Sequence, residues 1–120
     1  MKVSIVTATY NSSRYINRVF KSITSQSYSN FEWVVVDDYS KDNTVTLVEE
    51  FRNNSLIHTN LSILPYNSGG PEALAEAIKL ATGNLIVILD HDDELIPEAL
   101  GIMIENWVLF SNKTPKLAGV

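Results

Sequence analysis

Leu85-Ile86-Val87-Ile88-Leu89-Asp90-His91-Asp92-Asp93-Glu94-Leu95 is an unbroken apolar run that ends in a cluster of acids. A short apolar run rich in Ile and Val, with no polar residue alternating in it, suits a strand buried on both faces of a parallel sheet. Such a strand is central to its sheet. Its carboxyl end carries Asp90, Asp92, Asp93 and Glu94. In open α/β sheets, ligands bind beyond the carboxyl ends of the strands. Carboxylates this close repel one another, and their charge needs an offset. A hard divalent cation, Mg²⁺ or Mn²⁺, supplies it, because it takes oxygen ligands and shares them with an anion such as a diphosphate. A solvated acidic loop is the plain alternative. The Asp-x-Asp-Asp spacing directly after an apolar strand favours the ligand site.

The same sequence of events recurs upstream. Val3–Thr9 reads as a strand and runs into Tyr10-Asn11-Ser12-Ser13, an aromatic ring followed by turn and cap formers. Ile16, Val19, Phe20 and Ile23 then fall at helical spacing. Glu32–Val36 is the next strand and ends in Asp37-Asp38-Tyr39-Ser40-Lys41-Asp42-Asn43-Thr44. Asp42 or Asn43 caps a second helix with an inner stripe of Leu47, Val48 and Phe51. Leu56–Leu64 is a weaker strand, interrupted by Asn60 and Ser62, which suits the sheet edge. Asn67-Ser68-Gly69-Gly70-Pro71 is a loop that places Pro71 in the first turn of a third helix. That helix buries Leu74, Ala77, Ile78 and Ala81, and Gly83 closes it as a left-handed cap. Downstream of the acids, Pro97 opens a fourth helix with Leu100, Met103, Ile104, Trp107 and Val108 facing inward. Ser111–Val120 reads as a loop, with a further strand beginning at Leu117–Val120.

The order β-α-β-α-β-α-β-α predicts an α/β fold, an open, doubly wound, mainly parallel sheet with right-handed crossovers. If the first and fourth strands are neighbours, the tips carrying Tyr10, Asp38 and Asp90 converge on one crevice at the topological switch point.

The 120 residues fit one domain, and 45% hydrophobic against 19% charged residues supports a packed core. The net charge of −5 argues against nucleic acid as a partner, which clustered Lys and Arg would serve. The absence of cysteine excludes a disulfide framework, a thiolate nucleophile and a zinc–thiolate site, and is compatible with a reducing compartment. Met1-Lys2 leads straight into Val3–Val6, an apolar run too short for a signal-peptide core or a membrane span. The expected location is cytoplasmic, at the inner membrane face for a longer protein.

At these residues the chain resembles the nucleotide-sugar-binding part of the inverting family 2 glycosyltransferases, which have the GT-A fold. Val3-Ser4-Ile5-Val6-Thr7-Ala8-Thr9-Tyr10-Asn11 is similar to the family's first strand and Tyr-Asn turn. Val35-Val36-Asp37-Asp38-Tyr39-Ser40-Lys41-Asp42-Asn43-Thr44 resembles its VDDGSxDxT signature. Ala81-Thr82-Gly83-Asn84-Leu85-Ile86 resembles its approach to the next strand, and Asp90-His91-Asp92-Asp93 its DxDD metal motif. Each is weak alone; together, in order and at the family's spacing, they are specific.

The resemblance implies metal-dependent transfer of a sugar from a nucleotide-diphosphate sugar, UDP favoured, to a hydroxyl acceptor of a glycan or polysaccharide. It implies nucleotide contacts from Ala8, Thr9 and Tyr10 against the base, Asp38 to the base and Asp90 to the ribose. It implies Mn²⁺ or Mg²⁺ on Asp92, with Asp93 as the rival ligand. Tyr39 stands where the family often has Gly, and Leu74-Ala75 where it often has an Arg-Asn pair. The family's acceptor site and catalytic base come from a later segment, so residues 1–120 are expected to form a single truncated donor-binding domain with no assignable base. An unpaired sheet edge on such a domain predicts a homodimer.

Plainer readings apply to other residues. Asp37 serves to hold loop backbone. His91 points away from Asp90 and Asp92 if strand alternation continues, which disfavours it as a metal ligand. His58 is structural, and Trp33 and Trp107 are core mass. Gly69-Gly70 lacks the GxxxxGK[ST] spacing and marks a tight turn. A Mg²⁺-binding phosphoacceptor receiver domain is the alternative function class. It wants an acid pair after the first strand, where this chain has Tyr-Asn.

Overall fold

Val3–Thr9 is the strand (β1) on which the sheet is assembled, and it is buried from Val3 to Thr7. The computed structural model describes residues 1–113, with side chains to residue 107. β1 pairs in parallel with β2 (Phe31–Asp37) on one side and β4 (Leu85–Ile88) on the other. β3 (Thr59–Ile63) adds to the far side of β2, giving the order β3-β2-β1-β4. The helices α1 (Ile16–Thr24), α2 (Thr44–Asn54), α3 (Pro71–Leu80) and α4 (Ala99–Lys113) alternate with the strands. The α/β, parallel, doubly wound expectation holds. β1, β2 and β3 step outward in one direction, and the chain then crosses back to lay β4 beside β1. That reversal is a topological switch point between β1 and β4.

The two faces of the sheet carry cores of different size. On one face Val3, Ile5, Trp33, Val35, Leu85 and Val87 pack with Ile16, Val19 and Ile23 of α1, Val48 of α2 and Leu100 of α4. Phe20 stacks on Phe51 at 4.5 Å, and Trp33 meets both rings edge-on. The Trp33 indole donates to Thr7 Oγ1 at 2.9 Å, so its one polar atom is satisfied in the core. Trp107 packs partly buried against this core. The other face is small: Val6, Val34 and Val36 against Ala73 and Ala77 of α3.

Four expectations need correction. Among the described residues β4 is an edge strand rather than the central one, and its side chains alternate between buried and exposed. Ile86 and Ile88 are 40% and 54% exposed, because α3 lies over β1 and β2 and leaves that face of β4 open. The apolar stripe of α3 is also rotated: Ala73 and Ala77 are buried, Leu74 is half-buried and Ile78 is exposed. Small side chains let the helix sit close to the sheet, so the contact line follows the alanines. Third, α3 ends at Ala81 in extended backbone, and Gly83 is not left-handed. Its lack of a side chain serves close approach: a Cβ there would lie 2.7 Å from Ser4 N and 2.8 Å from Lys2 O. Fourth, Ser111–Lys113 belong to α4, and Pro97 sits in the turn before it. The Val108 side chain and the strand expected at Leu117–Val120 lie outside the described residues. β3 is shorter than its sequence range, and its edge position is as expected.

Glu32 ties β2, β1 and the α3–β4 connection together. Its buried carboxylate accepts from Ser4 Oγ (2.5 Å), Thr82 N (2.8 Å) and Thr82 Oγ1 (3.0 Å), with Lys2 Nζ at 3.5 Å. Burial alone would raise its pKa. The hydrogen bonds from Ser4 and Thr82 and the charge of Lys2 outweigh it, and the pKa falls below its ordinary 4.5. A depressed carboxyl pKa contributes stability that is present above pH 4.5 and lost as pH falls through the lower folded value. Glu32→Gln is therefore expected to be less stable than wild type at pH 7. The gap should close on acidification below the folded-state pKa, as read by denaturant unfolding across that range.

Candidate functional site

The ends of β1 and β4 and the start of α3 enclose a cavity of about 390 Å³ at the switch point. Ala8, Thr9 and Tyr10 line it from β1 and its following turn; Ile88, Leu89, Asp90 and His91 line it from β4 and the turn beyond. Asp38 enters from the end of β2, and Gly70, Pro71 and Leu74 form the α3 wall. All five residues expected to contact a nucleotide, Ala8, Thr9, Tyr10, Asp38 and Asp90, thus border one cavity. Asp92 and Asp93 do not line it; they are exposed on the adjoining turn. That turn is closed by Asp93 N donating to Asp90 O at 3.1 Å.

Two buried carboxylates shape the cavity's loops. Asp37 accepts from Thr9 Oγ1 (2.7 Å), Ser40 N (2.7 Å) and Ser40 Oγ (2.6 Å), so its contacts are with the loops. Asp38 accepts from Ser68 N (2.8 Å), Ser68 Oγ (2.6 Å), Gly69 N (3.1 Å) and Gly70 N (3.0 Å). Gly69 and Gly70 have φ of +96° and +99°, a conformation that favours glycine. Successive N–H groups turned the same way form an anion nest. Here the anion is the protein's own carboxylate. Burial pushes the Asp38 pKa up, but the hydrogen bonds from Ser68, Gly69 and Gly70 outweigh it and leave it below the ordinary 3.8.

The turn after β1 is stitched to the loop after β2. Asn11 N donates to Ser40 Oγ at 2.8 Å, and Lys41 N to Asn11 Oδ1 at 2.9 Å. Asn11 and Tyr39 both have positive φ, +47° and +67°. For an aromatic residue this is a strained backbone, held by the bonds around it. Asp42 caps α2 by accepting from Thr44 N (3.0 Å) and Thr44 Oγ1 (2.5 Å), while Asn43, at the N-cap position, makes no side-chain cap. Asp42 also accepts from Ser13 N. Burial opposes these bonds, yet they hold its pKa down at about 2.

Among the described residues no three His, Asp or Glu side chains converge into a ready-made metal cage. Asp90, Asp92 and Asp93 are exposed, form no salt bridge among the described residues, and offer hard oxygen atoms at the cavity mouth. That donor set fits a cation that takes one or two carboxylates and completes its shell with phosphate oxygens and water. Among the described residues no helix is long and apolar enough to cross a membrane.

The model of glycosyl transferase family 2 matches residues 4–108. The chain belongs to this family. TarS of Staphylococcus aureus strain Mu50, a poly(ribitol-phosphate) β-N-acetylglucosaminyltransferase, is 40% identical over 103 residues, which are 83% of this chain and 18% of TarS. The crystal structure of S. aureus TarS 1–349 with UDP-GlcNAc superposes with a TM-score of 0.79 at 34% identity, over 94% of this chain and 32% of that one. The Pyrobaculum calidifontis mannosyltransferase PcManGT, solved with GDP-Man and Mn²⁺, gives 0.71 at 31% identity, over 75% of this chain and 27% of that one. The chain therefore spans about a fifth to a third of the length of these relatives. Membership also fits the strand order, since a receiver-like fold would run 2-1-3-4-5.

Sequence reading did not assign site roles to Ser68, Gly70, Pro71, Leu74 or His91. The available signal is Gly69-Gly70-Pro71 ahead of a helix, which reads as a tight turn; the Gly69 and Gly70 N–H groups grip Asp38. Asp38→Asn replaces one acceptor oxygen with an amide that faces other N–H donors. It is expected to cost about 2 kcal/mol at pH 7 by denaturant unfolding. The depressed pKa gives the sign: the loss is full above pH 3.8 and shrinks as pH drops below it.

Proposed function

We propose that this chain binds the donor of a glycosyltransferase: a nucleotide-diphosphate sugar, UDP favoured, whose sugar passes to a hydroxyl acceptor in glycan or polysaccharide synthesis. The observation that carries the reading is the cavity itself. Residues of three strand tips, Tyr10, Asp38 and Asp90, border one space at the switch point of a family 2 chain. TarS and PcManGT, similar over this region, are described with UDP-GlcNAc and GDP-Man respectively.

Tyr10, 40% exposed, offers a base an aromatic surface, with Ala8 and Thr9 beside it. Asp38, which also holds Ser68, Gly69 and Gly70 of the wall, accepts from the base or helps orient it. Asp90 accepts from ribose hydroxyls. Asp92, with Asp93 as the rival, holds Mn²⁺ or Mg²⁺. The bound cation would offset the charge the diphosphate gains as the glycosidic bond breaks. Residues 1–120, which cover 18% of TarS and 27% of PcManGT, bind donor without full transfer on this reading.

Calorimetric titration of UDP and then GDP, with and without Mn²⁺, on this chain and on Asp92→Ala, tests the reading. UDP should bind in the presence of Mn²⁺, more tightly than GDP, and Asp92→Ala should lose the metal-dependent part. Absence of binding by either nucleotide overturns it. We also propose a homodimer through β4, an edge strand among the described residues whose Ile86 and Ile88 are exposed on the face α3 leaves uncovered. Sedimentation should give a mass that rises with concentration and falls back to monomer in Ile86→Lys/Ile88→Lys. A constant monomer mass for wild type counts against it.

A further inference from the structure

His91 stands in the cavity wall between two acids, and its ring is fixed from behind. Ser12 Oγ lies 2.5 Å from His91 Nδ1 and accepts from Tyr10 N at 3.0 Å. Ser12 is fully buried. Its backbone is already committed: N donates to Thr44 Oγ1, and O accepts from Tyr15 N and Ile16 N. A buried hydroxyl has one hydrogen and needs an acceptor for it. Among the described residues, His91 Nδ1 is the one acceptor within reach of that hydrogen. Ser12 therefore donates, Nδ1 accepts, and the ring proton sits on Nε2. Tyr15 meets the imidazole edge-on, 6.2 Å between centroids and 86° between planes, and limits its rotation.

The half-buried His91 lines the cavity, and Nε2 has no partner among the described residues. The other donors in the wall are mostly spent. Thr9 Oγ1 donates to Asp37, and Gly70 N donates to Asp38. Asp38 and Asp90 accept only, and no Lys or Arg lines the cavity. Tyr10 and His91 are left as the side chains with a hydrogen to offer. Tyr10 is on the β1 side; His91 is on the side of the acidic turn.

We propose that His91 is a ligand-binding residue of this cavity, its Nε2–H donating to a phosphate oxygen of the bound nucleoside diphosphate. The inference rests on the donor-site reading above and adds to it the direction of one proton. A diphosphate brought against Asp90, Asp92 and Asp93 meets like charge. A pre-oriented N–H among them binds an oxygen of that anion at little cost in side-chain entropy, because Ser12 and Tyr15 have already ordered the ring.

Imidazole ¹⁵N–¹H NMR on the 120-residue chain, with His58→Gln to assign the two histidines, reads the tautomer directly. The Nε2–H form is expected, and the Nδ1–H form overturns the proposal. UDP, pyrophosphate and uridine are then titrated, with Mn²⁺, into wild type, His91→Gln and His91→Phe. Gln carries an N–H donor to the Nε2 position and should stay within about threefold of wild type. Phe should weaken UDP and pyrophosphate about tenfold and leave uridine unchanged. Equal affinity of wild type and a folded His91→Phe for UDP overturns the proposal. If wild type binds neither UDP nor pyrophosphate, the donor-site reading itself fails and the ligand role falls with it, whatever the tautomer.

Discussion

Two buried carboxylates side by side at the end of β2 are the constraint on which the site depends. Asp37 and Asp38 are 1% and 2% exposed, and neither forms a salt bridge among the described residues. A buried carboxylate without a cation is tolerated only if N–H and O–H groups converge on it. Those groups come from Thr9 at the tip of β1, from Ser40 in the following loop, and from Ser68, Gly69 and Gly70 before α3. Satisfying the two anions therefore fixes three loops at once. The same loops are the walls of the cavity. This explains how Tyr39 is held at φ +67°. Its neighbours on both sides are fixed, Asp38 N by Thr9 O and Ser40 N by the Asp37 carboxylate.

The sheet order turns these loops toward one another. β1 lies between β2 and β4, and α3 reaches β4 across the face of the sheet opposite to α1 and α2, so a crevice opens between the tips of β1 and β4. Ser12 then links the two sides. It is bonded to Thr44 at the start of α2 and to His91 beyond β4, which ties the β2 loop, the β1 turn and the acidic turn into one rigid rim.

The sequence reveals strand tips well and sheet position poorly. Val3–Thr9 and the carboxyl ends of the second and fourth strands are legible, because a buried apolar run stopping at acids is hard to arrange any other way. The edge position of β4 is not. Leu85–Leu89 is as apolar as a central strand, and what exposes Ile86 and Ile88 is where α3 rests, a tertiary fact. The buried face of α3 is hidden in the sequence for a related reason. Periodicity alone admits Leu74 and Ile78 as well as Ala73 and Ala77 as its buried stripe. Only the closeness of helix and sheet selects the small pair. Gly83 was legible as special but for the wrong reason, since a glycine needed for left-handed backbone and one needed for close approach look alike in sequence. Asp38's partners were invisible, being about thirty residues away across the fold.

The electrostatics of the cavity narrow what it can bind. Its lining contains Asp38 and Asp90 and no Lys or Arg, and Asp92, Asp93 and Glu94 follow His91 directly. A neutral nucleoside could rest against Tyr10 and the Pro71–Leu74 wall with no counter-charge. An anionic diphosphate could not approach the acidic turn on dispersion and stacking alone, because like charges in a partly dry cleft repel strongly. Two devices are available within this chain. The exposed carboxylates can share a divalent cation with the phosphates, and the anchored imidazole can present an N–H. The first reverses the sign of the local field and the second sets the orientation of one oxygen. On the donor-site reading they are complementary. A cation fixes where the diphosphate charge sits but, being isotropic, leaves its rotation loose; a directional donor held by Ser12 and Tyr15 removes that freedom.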